Sequence, residues 1–226
     1  MTKEKEEDYL TYLDKKIRDW LFKPVTKIFG FIPYAANILT IIGFLTLIFA
    51  VIDLLYFKNN IERQIWFLIA AWLTDLIDGP VARNNNNITA FGTIADHTRD
   101  SLLIFWMVFL SFYVTVALIM YAVLTITALG TLLAILLTRL YLIKKRQERS
   151  SQPYYDFMNE FLLNDLKTTF NARLRTFIVA VGMIFYLAGA IWSNYLYFQI
   201  GVALLLVQLV FLGFYLRDVF KMSYQK

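Results

Sequence analysis

The chain has 226 residues, 59% of them hydrophobic and 17% aromatic, and a mean hydropathy of +0.56, which excludes a soluble domain with a largely polar surface. It contains no cysteine, so disulfides and thiolate metal sites are excluded and any metal must be held by oxygen or by the single His97. The net charge of +5 and pI near 9.3 come from basic residues that flank apolar spans, where anionic lipid headgroups rather than nucleic acid are the nearer partner.

The first element in chain order is amphipathic. Tyr9, Leu10, Leu13, Ile17, Trp20 and Leu21 share one helical face, and Asp14, Lys15, Lys16, Arg18 and Asp19 fall largely on the other. This pattern predicts a helix lying along the membrane surface. It is not that of a signal peptide, because a charged, acidic stretch precedes it and no uninterrupted apolar core follows before Pro24 and Lys27.

Apolar periodicity then predicts six membrane spans, at about residues 35–57, 64–82, 89–112, 114–143, 172–193 and 197–220. The expected organisation is an N-terminal segment, 1–34, followed by one six-helix domain, 35–226, in an all-α polytopic membrane protein. The third and fourth spans meet near Tyr113 with so short a connection that they must be antiparallel neighbours, whereas residues 144–171 form a long polar connection before the fifth. With six spans both termini share a side, and Lys58 and Arg63 are the only basic residues across the membrane from them. The excess of Lys and Arg on the other side puts both termini in the cytosol of a cell (inner) membrane. The connection between the second and third spans faces the cytosol too, which leaves the Asn-Ile-Thr sequon at Asn87 idle.

That connection carries the chemistry. Residues 75–100 read DLIDGPVARNNNNITAFGTIADHTRD. Asp75 and Asp78 are three apart at the end of one helix, Asp96 and Asp100 four apart at the start of the next, so each pair shares a face and a short antiparallel turn brings the faces together. Unpaired, the four carboxylates would cost roughly 10 kcal/mol at about 2.5–3.5 kcal/mol per charge at a bilayer centre. Arg83 or Arg99 can offset part of this, but hard carboxylate oxygens facing one another select Mg²⁺ or Mn²⁺ (or Ca²⁺), and a pair of such ions suits displacement at phosphorus. Gly79, Ala82 and Gly92 remove bulk around the carboxylates, as a flat base or diphosphate would require, and Arg83 offers a fork to phosphate oxygens. Pro80 either frames the pocket with a kink or ends the helix. His97 lies one residue off the face of Asp96 and Asp100 and reads as a packing or surface group.

The frame D-x2-D-G-x2-A-R-x8-G-x3-D-x3-D, met by Asp75, Asp78, Gly79, Ala82, Arg83, Gly92, Asp96 and Asp100, resembles the signature of the CDP-alcohol phosphotransferases. The segment NILTIIG, with Asn37 and Thr40, is similar to the one that opens the first span in that family. The resemblance implies a homodimer in which each subunit transfers the phosphatidyl group of a CDP-linked lipid, usually CDP-diacylglycerol, to a polar alcohol and releases CMP. It implies that Asp75, Asp78 and Asp96 hold two metals, that Asp100 completes the cluster and acts as general base, and that Asp75, Gly79, Ala82, Arg83, Gly92, Asn37 and Thr40 surround the CDP moiety. An acceptor bearing a phosphate would need basic residues nearby, and Arg139, Arg173 and Arg175 are the candidates. Glycerol 3-phosphate is the expected acceptor, with inositol phosphate, serine or another polar alcohol as alternatives. A reading of a different class is a cation transporter, which would spread its acidic residues along a path; another is an intramembrane prenyltransferase, whose aspartate-rich loops have different spacing.

Overall fold

A computed structural model describes residues 9–56, 61–86, 88–115, 118–162 and 170–224. Among these the secondary structure is helical throughout: α1 Tyr9–Leu21, α2 Lys23–Phe29, α3 Ala35–Tyr56, α4 Ile61–Asn84, α5 Ala90–Val114, α6 Leu118–Glu148, α7 Tyr154–Glu160, α8 Phe170–Ile191 and α9 Tyr195–Tyr224. Lys58, Asn87 and the expected end of the first span at residue 57 lie outside the described residues.

Among the described residues five helices, α3, α4, α6, α8 and α9, are long and apolar enough to cross a membrane. The third expected span, 89–112, is a continuous helix, α5, but is not among the five. Its first half carries Asp96, His97, Arg99 and Asp100, so half of its length serves the polar site rather than an apolar crossing. Helix α1 leaves Tyr12, Ile17 and Trp20 exposed while Asp19 turns to α4. The expected polar connection 144–171 holds α7, and Phe157 of α7 with Phe161 and Leu162 just after it bury themselves with Tyr141 of α6. Those apolar groups recur at helical spacing within a polar stretch, and burying them gives the connection a small core of its own.

The main core joins α3, α4, α5, α6, α8 and α9 through Leu47, Leu68, Leu103, Met107, Leu124, Met183 and Leu205 among others. In lipid, apolar burial alone drives helices together weakly, so close approach and interhelical hydrogen bonds matter more. Both are present. Gln208 of α9 donates to Thr127 Oγ1 of α6 at 2.6 Å, Gln64 of α4 donates to Ala50 O of α3 at 3.1 Å, and Thr115 Oγ1 meets Tyr186 Oη at 2.6 Å.

Helices α8 and α9 form a tight hairpin. Ser193 takes a left-handed φ of 51°, and Asn194 N donates back to Gly189 O at 2.9 Å, the hydrogen bond of a Schellman stop. Asn194 Oδ1 then accepts from Tyr197 N at 3.1 Å and opens α9. Just past this turn the backbones touch: a Cβ on Gly189 would fall on the backbone of Phe198, and one on Gly201 on that of Tyr186. Gly201→Ala is therefore expected to cost about 1–3 kcal/mol through overpacking, read as a lower melting temperature in detergent. Gly213→Ala, where an added Cβ meets nothing within 4 Å, should melt as the wild type does.

Candidate active site

The turn between α4 and α5 sets the site. Helix α4 passes through Pro80 without a break and runs a further turn to Asn84, so this proline does not end the helix. Asn86, at a φ of 51°, then stops it in the left-handed conformation that asparagine tolerates. Thr89, extended at φ −122° and ψ 149°, caps α5 by accepting from Gly92 N at 3.0 Å. The last turns of α4 and the first turns of α5 thus lie together, and the two aspartate pairs face one another.

One oxygen each of Asp75, Asp78 and Asp96 lies within 4.8 Å of the other two. Asp100 stands beside Asp75 and Asp96, and its Oδ1 is buried with no hydrogen-bond partner among the described residues. Helix α3 closes the group from the side: Thr40 Oγ1 lies 2.8 Å from Asp78 Oδ2 and 3.0 Å from Ala36 O, its one proton available to either. Asn37 Oδ1 accepts from Thr89 Oγ1 at 3.1 Å. A Cβ on Gly92 would stand 2.7 Å from that Asn37 oxygen, so the glycine is needed where α3 meets the cap of α5.

At the centre sits a residue that the sequence marked only as one of two possible counter-ions. Arg99 is fully buried, at 0% exposure. Its Nη1 donates to Asp78 Oδ2 at 2.6 Å, and its Nη2 donates to Asp96 Oδ1 at 2.8 Å and to Asp75 Oδ1. The signal in the sequence was position: an arginine three residues after Asp96 shares its helical face. Arg83, the other possible counter-ion, is engaged elsewhere. Its Nε and Nη2 fork onto Asp19 of α1, with Nη2 to Oδ1 at 2.7 Å, and this partner, far away in sequence, had no local signal.

The carboxylates line a cavity of about 830 Å³, within the usual range for ligand sites of about 300–1,000 Å³. Every residue singled out as a site candidate lies on its wall: Asp75, Asp78, Asp96 and Asp100, Asn37 and Thr40, Gly79, Ala82, Arg83 and Gly92, and Arg139, Arg173 and Arg175. His97 lies there too, partly buried, rather than on an outer surface. Arg175, 2% exposed, donates from Nη2 to Thr131 Oγ1 at 2.5 Å and lies 5.5 Å from the Tyr215 ring centroid, while its Nε is buried without a partner among the described residues. Arg139 of α6 is exposed. The wall also includes Tyr215 and the apolar Trp72, Ile104, Leu142 and Phe177.

Three carboxylate oxygens this close, with a buried Asp100 oxygen that has no hydrogen-bond partner among the described residues beside them, fit a hard divalent cation. The site offers acid groups for such ions, a carboxylate oxygen, Asp100 Oδ1, that is free of hydrogen bonds among the described residues and can take a proton, and arginines for anions. The apolar helices mark a multi-pass membrane protein.

No curated protein and no solved structure matches the chain. The family model for CDP-alcohol phosphatidyltransferase matches residues 33–213, which takes in α3 to α8 and most of α9. Members transfer a phosphatidyl-type group from a CDP-alcohol to an alcohol acceptor, generally with a divalent metal. On that match, and with the signature aspartates gathered at one cavity, the chain belongs to the CDP-alcohol phosphatidyltransferase family.

Proposed function

We propose that the protein transfers the phosphatidyl group of CDP-diacylglycerol to glycerol 3-phosphate, releasing CMP, with Mg²⁺ or Mn²⁺ in a two-metal site. The observation that carries this reading is that one cavity has both the four aspartates and the three arginines Arg139, Arg173 and Arg175 on its wall. Such a cavity suits a diphosphate donor together with a phosphate-bearing acceptor. It favours glycerol 3-phosphate or inositol phosphate over serine, which has no phosphate for the arginines to hold.

Asp75, Asp78, Asp96 and Asp100 are the residues that would hold the ions. Bound there, divalent cations supply charge stabilisation at the phosphoryl oxygens and at the leaving CMP. Gly79, Ala82 and Gly92 leave room for the cytidine and diphosphate, with Asn37, Thr40 and Asp75 around them; Arg83 meets the diphosphate once it leaves Asp19. Asp100, whose Oδ1 no protein group engages among the described residues, takes the proton of the acceptor hydroxyl. The hydroxyl oxygen then bonds to the phosphatidyl phosphorus, and the bond from that phosphorus to the bridging oxygen breaks. CMP departs with the electron pair. Arg175, held by Thr131, positions the acceptor's phosphate with Arg173 and Arg139.

In this reading α5 is the sixth crossing, its polar first half at the cytosolic face of a cell (inner) membrane, and α1 lies in the interface with both termini cytosolic. Residues 1–34 are the surface segment and 35–226 one catalytic domain. The working unit is a homodimer. A cation transporter is disfavoured because these acids gather at the α4–α5 turn rather than along a path.

With purified protein, CDP-diacylglycerol and glycerol 3-phosphate, CMP release is expected to require Mg²⁺ or Mn²⁺ and to stop in chelator; an undiminished rate in chelator would overturn the metal assignment. Product lipids from parallel reactions with glycerol 3-phosphate and inositol phosphate identify the acceptor. Asp100→Asn should lower kcat about 10²-fold or more, as loss of a general base does, with CDP-lipid binding retained. Normal turnover would remove that role.

Arg175→Ala should raise the KM for the phosphate acceptor by roughly 10–100-fold, the loss of about 1.5–3 kcal/mol for a hydrogen bond to a charged group, and leave the KM for the donor in place. An equal loss with a phosphate-free alcohol would make Arg175 a packing residue only.

A further inference from the structure

The three oxygens that accept from Arg99, Asp75 Oδ1, Asp78 Oδ2 and Asp96 Oδ1, belong to the same three residues whose ligand atoms converge within 4.8 Å. A guanidinium and a divalent cation want the same thing from these atoms. Both are positive, both need carboxylate oxygens at short range, and two cations cannot share a small buried volume without repulsion.

The position of Arg99 is built rather than incidental. Gly43 of α3 faces its stem: a Cβ there would stand 2.8 Å from Arg99 Cδ and 2.6 Å from Thr74 Oγ1. Arg99 therefore lies in a slot that α3 leaves open only because residue 43 has no side chain. The side chain is completely buried, and among the described residues its Nε has no partner, so its hydrogen bonding there rests on the two terminal nitrogens and the three aspartates. One guanidinium bonds three of the four acids of this carboxylate cage and leaves Asp100 Oδ1 without a partner among the described residues. It holds the acids together without saturating their demand for positive charge.

We propose that Arg99 is an internal rival of the metal: a divalent cation loads the aspartates only by drawing them away from the guanidinium, and Arg99 thereby sets how tightly the site takes its ions. This rests on the metal-dependent reading above and adds a residue outside the signature frame that tunes it. Arg99 is in this sense a metal-affinity determinant. Its positive charge lets the cage persist while cations exchange, at the expense of their affinity.

The test is binding of Mn²⁺ alone to the purified full chain in detergent, followed by titration calorimetry and by the spin-resonance signal of free Mn²⁺, with no donor or acceptor present. Arg99→Leu is expected to bind Mn²⁺ at least tenfold more tightly than the wild type. Without added metal it should melt at a lower temperature, and Mn²⁺ should close most of that gap. Arg99→Lys keeps one charge but cannot fork across three carboxylates, so it is expected to fall between the two; it serves if the leucine variant does not fold. Binding by these variants that is equal to or weaker than that of the wild type overturns the proposal. Absence of Mn²⁺ binding in the wild type and both variants would overturn the metal-dependent reading as well.

Discussion

Four carboxylates at one helix turn are a source of repulsion, and much of the surrounding structure answers it. Asp75 and Asp78 lie in the last turns of α4, Asp96 and Asp100 in the first half of α5, and Asn86 and Thr89 fold the chain so that they meet. In a low-dielectric setting like charges this close raise the energy of the fold unless positive charge or hydrogen-bond donors intervene. Arg99 supplies the charge from within α5 and Thr40 offers a donor from α3. Gly43 leaves the opening in which Arg99 fits, and Gly92 lets α3 reach the cap of α5. The arrangement is thus a balance between α3, α4 and α5, not a property of the aspartates alone.

The aspartate spacing was legible because it is local. Three- and four-residue separations on helices fix a shared face whatever the tertiary fold, and a short turn brings the two faces together. The apolar spans were legible for the same reason, and α3, α4, α6, α8 and α9 follow them to within a few residues. What periodicity alone missed was where polarity overrode it. Helix α5 reads as a span from its spacing, yet its first half is occupied by the site. Within the polar connection, Phe157 and Phe161 stood at helical spacing, a signal overshadowed by the charged residues around them.

Long-range partners left no trace in the pattern. The fork of Arg83 on Asp19 joins α1 to α4 across most of the N-terminal third of the chain, and nothing near either residue announces it. Arg175 is similar. An arginine at the start of a span reads as a mark of the membrane edge, but here its side chain is buried, held by Thr131 of α6 beside Tyr215 of α9. Arg83 was named from the signature frame and its phosphate-binding fork, Arg175 as a basic residue for a phosphate-bearing acceptor. Their roles differ because, among the described residues, one is engaged by an acid and the other by a hydroxyl and an aromatic face.

That difference shapes what the cavity can accept. Arg83 already has a carboxylate partner, so a diphosphate meeting it must offer more than Asp19 does, and its attraction is partly spent in the fold. Among the described residues Arg175 has no acid partner and keeps a buried Nε without a hydrogen bond, so an anion entering beside it meets a cation that those residues have not neutralised. Such a charge is costly to bury and is best compensated by a ligand. Trp72, Ile104, Leu142 and Phe177 on the same wall would have no use for a purely ionic solute. A cavity that combines uncompensated charge with apolar wall is complementary to molecules that are themselves divided, with phosphate at one end and hydrocarbon at the other, and this is the division that the proposed nucleotide-lipid donor carries.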